Sequence, residues 1–174
     1  MTYLPKSHNH VLFNVCHARL KDIDALIQLR GHLLDDGRSN YASHSPEEKK
    51  LWRTHYRAWL ENILECKDQT LVAVAINELE KPIGCAIGII DQRAPCPGAY
   101  NGMTGWIQTV VVDPIFRNLG VATALVEFIH NWFRHNGITK WVLQTTPDAE
   151  ILYQRLGYRD TEEKTLYYIE VDKA

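Results

Sequence analysis

Thr104 to Ala122, TGWIQTVVVDPIFRNLGVA, is the stretch that decides the fold of this 174-residue chain. It opens as an apolar strand ending in Val110, Val111 and Val112, and it turns at Asp113-Pro114. It then runs through Arg117-Asn118-Leu119-Gly120-Val121-Ala122 into an amphipathic helix. A strand that feeds a glycine-containing turn at a helix N-terminus suits an anion. The first helical N–H groups have no partner inside the helix, and the macrodipole adds partial positive charge there. Gly120 and Ala122 carry almost no side chain, so a phosphate can approach the backbone closely. The stretch therefore predicts a pyrophosphate site.

On the C-terminal side, the helix is expected to reach about His135, with Val121, Leu125, Phe128, Ile129, Trp132 and Phe133 facing inward and Gly137 as C-cap. Trp141 to Thr145 reads as a strand, and Thr146-Pro147 as the cap of a short helix that ends at Leu156-Gly157. Tyr158 to Thr161 and Leu166 to Val171 read as two closing strands. On the N-terminal side, the loop 93–103 holds two prolines and two glycines. Before it, Thr70 to Ile76 and Ile83 to Ile90 are β-branched runs joined by a polar turn, an antiparallel hairpin. Ser45-Pro46-Glu47-Glu48 announces a helix with a capping box, continuing to about Cys66. Its broad apolar stripe is Leu51, Trp52, His55, Tyr56, Trp59 and Ile63. Val11 to Arg19 is strand-like, Lys21 to Leu34 has helical spacing, and residues 1–10 read as a flexible lead-in.

A length of 174 residues suits one domain, here 11–174, since domains centre on roughly 100–150 residues. A net charge of -2 gives no electrostatic reason to expect nucleic acid or an anionic membrane as partner. No apolar run approaches the roughly 20 residues that span a bilayer. The N-terminus lacks the basic-then-apolar pattern of a signal peptide. Cys16, Cys66, Cys85 and Cys96 are scattered without a CxxC pair, and the histidines lack an HExxH spacing. A cytoplasmic protein without a metal is expected.

Arg117-Asn118-Leu119-Gly120-Val121-Ala122 matches (Gln/Arg)-x-x-Gly-x-(Gly/Ala), and Leu152-Tyr153-Gln154-Arg155-Leu156-Gly157-Tyr158 is similar to Leu-Tyr-x-x-Leu-Gly-Phe. Both patterns, on these elements, resemble the GNAT superfamily of N-acetyltransferases, and the order of elements from Val11 to Val171 looks like that family too. The resemblance implies an α+β fold with a mixed, mostly antiparallel central sheet of about seven strands and about four helices, in the order β-α-α-β-β-β-α-β-α-β-β. It implies acetyl-CoA as co-substrate. The pyrophosphate would be held by backbone N–H groups of Arg117, Asn118, Leu119, Gly120, Val121 and Ala122, and the pantetheine arm by the backbone of Val110, Val111 and Val112. Thr146 stands where many members have an asparagine that touches the coenzyme arm, although N-capping is its ordinary role.

By the same resemblance, Tyr153 gives a proton or a hydrogen bond to the departing coenzyme A thiolate. Transfer from a phenol to a thiolate is uphill by about 2 kcal/mol at their ordinary pKa values, so the site must tune one of them. Family members often carry an acid on the strand of the opening stretch, but Thr104 to Val112 has none. Strict alternation puts Trp106, Gln108, Val110 and Val112 on one face, and Gln108 is no base. Deprotonating a lysine-like amine at pH 7 costs about 4.6 kcal/mol, against about 1 kcal/mol for an α-amine, so a low-pKa acceptor or a water chain is expected. No cysteine sits in a nucleophile motif, which favours direct transfer to a primary amine in a ternary complex. The acceptor is a small molecule or a peptide. A non-catalytic acyl-CoA-binding sensor is the alternative. Dimerisation is common in the family, and the sequence leaves the homodimer open.

Overall fold

In the computed structural model, residues 12–35, 42–66, 69–162, 165–166 and 168 are described. The expected lead-in at 1–10 lies outside them. Strands β1 (Phe13–His17), β2 (Thr70–Asn77), β3 (Pro82–Gln92), β4 (Met103–Val112) and β5 (Trp141–Leu143) form one sheet in that order. The first four pair antiparallel, while β5 joins β4 in parallel. The described residues hold four α-helices: α1 (Ile23–Leu34), α2 (Pro46–Glu65), α3 (Val121–His135) and α4 (Pro147–Arg155). By chain packing the molecule divides into two units, 1–144 and 145–174, each taken by itself.

Local chemistry sets several boundaries. Ser45 Oγ accepts from the Glu48 N–H at 3.1 Å while Glu48 accepts from the Ser45 N–H at 3.2 Å, which is the capping box read from sequence. In the hairpin turn between β2 and β3, the Asn77 side chain accepts from the N–H groups of Leu79 and Lys81, both at 3.0 Å. Helix α3 ends as expected at Gly137, with the Ile138 N–H returning to the Phe133 carbonyl at 3.0 Å.

One face of the sheet packs on α1 and α2. Leu26, Ile27, Leu29, Tyr56 and Leu60 meet Val72, Val74, Cys85, Ile87 and Val111 there. The aromatic stripe of α2 is core: Tyr56 is buried and stacked on Trp59 at 5.8 Å between centroids. Leu51 and His55 do not belong to it. Both are exposed, and the fully buried Leu60 takes the place that a broader stripe would assign to them. The opposite face packs on α3 through Val121, Leu125, Ile129 and Phe133. Here the strands carry glycine because the helix lies too close for a side chain. A Cβ on Gly88 would stand 2.7 Å from Ile129, and one on Gly105 2.7 Å from Phe133.

Two expectations about strands are corrected. The described residues hold five strands rather than seven, and the order ends at α4. Tyr158 to Thr161 is not a strand. The Asp160 carboxylate accepts from the Glu162 N–H at 2.9 Å, and this local turn competes with a ladder. The strand read at 166–171 falls mostly on residues outside those described. The second correction concerns β4. Ile87 stands opposite Gln108, but Cys85 stands opposite Val111, so Thr109 and Val110 together face the one residue Ala86. This bulge breaks the alternation. Gln108 shares the α1/α2 face with Ile87. Val112 pairs with Gly84, whose Cβ would meet Val121 and Leu125, and so lies on the α3 face.

The buried His130 of α3 stacks on Trp141 of β5 at 5.1 Å between centroids. Burial pushes its imidazole down to about 4, with Arg134 adding to the effect. Above about pH 6.5 it is neutral in both the folded and unfolded chains. Between there and its folded value the unfolded chain takes up a proton that the folded chain refuses, so stability falls with falling pH by up to about 3 kcal/mol. Denaturant melts from pH 7 to 4.5 should therefore show a steeper loss for the wild type than for His130→Gln. Equal slopes would remove His130 as the cause.

Candidate active site

The site is built on the C-terminal half of β4. This strand pairs with β3 along its length, but with β5 only at Gly105, Trp106 and Ile107. Beyond Ile107 no partner strand lies on that side among the described residues. The direction of each backbone group follows from its neighbours. The Asp113 N–H donates to the Ile83 carbonyl at 2.9 Å, so Asp113, and by alternation Val111, turn toward β3. Val110 and Val112 then turn their N–H and C=O groups to the open edge. The Val112 carbonyl already accepts from Arg117 Nε at 3.3 Å. Of the three valines singled out from sequence, Val110 and Val112 turn their backbone groups to the edge and Val111 turns its own toward β3, while the side chains of Val111 and Val112 are buried.

Past Val112 the chain makes one short 3-10 turn, Pro114–Phe116, held by the Asp113 carboxylate accepting from the Ile115 N–H at 3.0 Å. Asn118 then adopts φ +61° and Gly120 φ +81°, so two left-handed residues fold the loop back on itself before α3 starts. A Cβ at Gly120 would meet nothing within 4 Å. The glycine is there for its backbone angle, which L side chains resist, and not to relieve a clash within the protein. The first α-helical bond of α3 is Ala124 N–H to the Gly120 carbonyl at 3.0 Å. Among the described residues the N–H groups of Asn118, Leu119, Gly120, Val121, Ala122 and Thr123 have no protein acceptor. Arg117, Asn118 and Gly120 are exposed. The loop is thus a solvent-facing run of free donors at the positive end of a 15-residue helix.

Thr146 and Tyr153 belong to the second unit. Thr146 is the exposed N-cap residue of α4, but its side chain makes no capping bond; the Ala149 N–H reaches its carbonyl at 3.0 Å instead. Tyr153 is 7% exposed, with its ring edge-on to Tyr158 at 5.6 Å. Gly157 closes α4 with φ +90°, and the Tyr158 N–H bonds the Tyr153 carbonyl at 3.0 Å, which fixes the backbone on which the Tyr153 ring is carried.

The electrostatics bear on how an amine could be activated. Asp35, the residue after α1, is already engaged. Partial burial pulls its carboxyl up, but bonds from Arg53, from Ser43 Oγ at 2.9 Å and from Trp52 Nε1 at 3.3 Å hold it below the ordinary range. Asp36 lies outside the described residues. Burial pushes the Cys85 thiol up to about 12 and also raises Cys16, so both stay protonated at neutral pH. Among the described residues no cluster of His, Cys, Asp and Glu suits a metal ion, and no helix is long and apolar enough to cross a membrane. The cavity lined by His17, Ile63, Leu64, Thr70 and Trp132 shares no residue with β4 or its loop.

Two features of the site escaped the sequence reading: the bulge at Thr109, with φ +55°, and the bond from Arg30 Nη1 to Thr109 Oγ1 at 3.0 Å. A β-branched residue gives no local signal for a left-handed angle, and the two partners are far apart in the chain.

Comparison with known proteins agrees with this geometry. The description "Acetyltransferase (GNAT) family" belongs to the family model that matches residues 32–158. The chain is 27% identical over 129 residues to aminoglycoside N(6')-acetyltransferase type 1 of Salmonella typhimurium, covering 68% of this chain and 85% of the relative. Its fold is similar to that of a GCN5-related N-acetyltransferase from Ralstonia eutropha JMP134, with a TM-score of 0.76, 20% identity, and coverage of 90% and 99% of the two chains. It is also similar to AAC(6')-Iy, solved with the bisubstrate analog CoA-S-monomethyl-acetylneamine, with a TM-score of 0.70, 20% identity, and coverage of 92% and 99%. An open β4 edge that leads into a loop of free donors, inside a match spanning most of the sequence, has one reading: the chain belongs to the acetyltransferase (GNAT) family and is an acetyl-CoA-dependent N-acetyltransferase.

Proposed function

We propose that this enzyme moves the acetyl group of acetyl-CoA directly to a primary amine of a small, hydroxyl-rich acceptor in a ternary complex. The observation that carries the reading is the continuity of two sets of backbone groups that, apart from the Val112 carbonyl bonded to Arg117 Nε, have no partner among the described residues. The β4 edge at Val110 and Val112 runs into the free N–H groups from Asn118 onward. An extended, amide-containing arm adds to a strand edge, and a pyrophosphate takes the donors at the helix start. Arg117 flanks that loop, Val111 holds the strand in the core, and Thr146, with no capping bond of its own, is free to touch the arm. The Val110 N–H would polarise the thioester carbonyl, and catalysis would rest on positioning and preorganised donors. Tyr153 would supply the proton that the coenzyme A thiolate needs as it leaves. Direct transfer is favoured because burial keeps Cys85 and Cys16 protonated, as poor nucleophiles. The free thiols are in keeping with a reducing cytoplasm.

The acceptor class follows from what β4 lacks. With no carboxylate on Met103–Val112 and Asp35 already bonded, an amine that is partly neutral at pH 7 is favoured. Amines on an oxygen-substituted ring meet that condition, because neighbouring oxygens withdraw charge and lower the pKa. The similarity to aminoglycoside acetyltransferases supports the same class.

Free-thiol release from acetyl-CoA, measured across neamine, spermidine, free amino acids and a peptide N-terminus, should be fastest with neamine. Turnover confined to spermidine at neutral pH would overturn the acceptor reading, and acetyl-CoA binding without any turnover would favour the sensor. Gly120→Val should weaken coenzyme A binding by about ten-fold or more in calorimetry, because a β-branched residue resists φ +81° and remodels the donor loop. Unchanged affinity would remove the loop from the site. Tyr153→Phe should lower kcat by about ten- to a hundred-fold while leaving coenzyme A affinity nearly intact. An undiminished kcat would deny the phenol its role.

A further inference from the structure

Thr109 is the one residue of β4 with a positive φ, +55°. Glycine or asparagine is the usual occupant of such a left-handed position. A β-branched residue is disfavoured there, so it persists only where its surroundings hold it. Two side chains reach it here, Cys85 Sγ at 4.0 Å from the Thr109 carbonyl and, at closer range, Arg30. Arg30, on α1, donates from Nη1 to Thr109 Oγ1 at 3.0 Å. Its guanidinium is located in turn by the ring of Tyr56, with the central carbon 4.4 Å from the ring centroid. Tyr56 is buried and stacked on Trp59. On α2, Arg53 and Arg57 are paired with Asp35 and Asp24, whereas no carboxylate among the described residues pairs with Arg30. Its head group is committed to one hydroxyl and one ring. A continuous strut therefore runs from the α1/α2 core, through Arg30, to the bulge.

We propose that Arg30 is a positioning residue for acetyl transfer, holding Thr109 left-handed and thereby setting the direction of the adjacent Val110 N–H on the open edge of β4. The proposal rests on the reading that the thioester lies along that edge. A donor that polarises a carbonyl is effective when its direction is set before the ligand arrives, and the backbone N–H next to a bulge has no such constraint of its own. The hydroxyl explains why threonine stands where glycine would be less strained. Glycine would adopt the angle freely but would give Arg30 nothing to hold.

The test uses the full chain and [1-13C]acetyl-CoA, with the carbonyl resonance of the bound ligand read by NMR. In the wild type it should move downfield from the free value, as expected for a polarised thioester. Thr109→Ser keeps the hydroxyl and should keep that shift. Thr109→Val keeps the shape but removes the acceptor oxygen, and Arg30→Met removes the donor. Both should lose about half of the shift or more while coenzyme A affinity stays within about three-fold, because the pyrophosphate loop is untouched. A wild-type shift retained in both Thr109→Val and Arg30→Met overturns the role of Arg30 and leaves the coenzyme reading standing. Failure of the wild type to bind acetyl-CoA at all would bring down the coenzyme reading, and this proposal with it.

Discussion

Among the described residues, strand β4 does not satisfy both of its edges from within the sheet, and much of the architecture follows from that. On one side β3 pairs with it to its end, but on the other β5 covers only Gly105 to Ile107. Unpaired strand edges are a hazard in most proteins, since they recruit other strands. Here the uncovered segment is short, is bent by a bulge, and ends in a loop whose own N–H groups are also unused. Apart from the Val112 carbonyl, which Arg117 Nε reaches, these groups of strand, loop and helix start are unpaired among the described residues and are the proposed seat of acetyl-CoA.

Packing holds the line in shape from the two faces of the sheet. On one face the near-bare surface at Gly84, Gly88 and Gly105 lets α3 settle against β3 and β4, which brings the N-terminus of α3 to the end of β4. Larger residues at those positions would lift the helix and move its free N–H groups away from the strand end. On the other face, α1 and α2 supply the apolar core beneath Cys85, Ile87 and Val111 and deliver the Arg30 head group to Thr109. The charged groups near that core are mostly used internally. Asp35, for example, is bonded to Arg53, Ser43 and Trp52.

Several elements were legible in the sequence because each depends on residues within a turn or two of itself. Ser45 and Glu48 make their capping box whatever the rest of the chain does, and Gly137 ends α3 by the backbone angle that glycine allows. The apolar period of α3 and the β-branched runs of β2 and β3 needed only their own neighbours to be read. The donor loop belongs to the same class, since a glycine between a strand and a helix creates free N–H groups locally. Where a local signal pointed to a strand at Tyr158 to Thr161, the Asp160 side chain offered the backbone a turn instead.

The sequence by itself determined the helices, the order of the first nine elements, the glycine loop at the start of α3, and the absence of an acid on β4. Tertiary structure alone decided which β4 groups face the open edge of the sheet. An extra residue at Thr109 shifts every later side chain to the opposite face, and alternation cannot anticipate it because threonine carries no preference for that angle. What stabilises the angle is Arg30, 79 residues away, whose approach depends on how α1 packs on the sheet. Local propensity writes the elements of this fold, but a strained backbone in the middle of a strand exists only where distant side chains hold it.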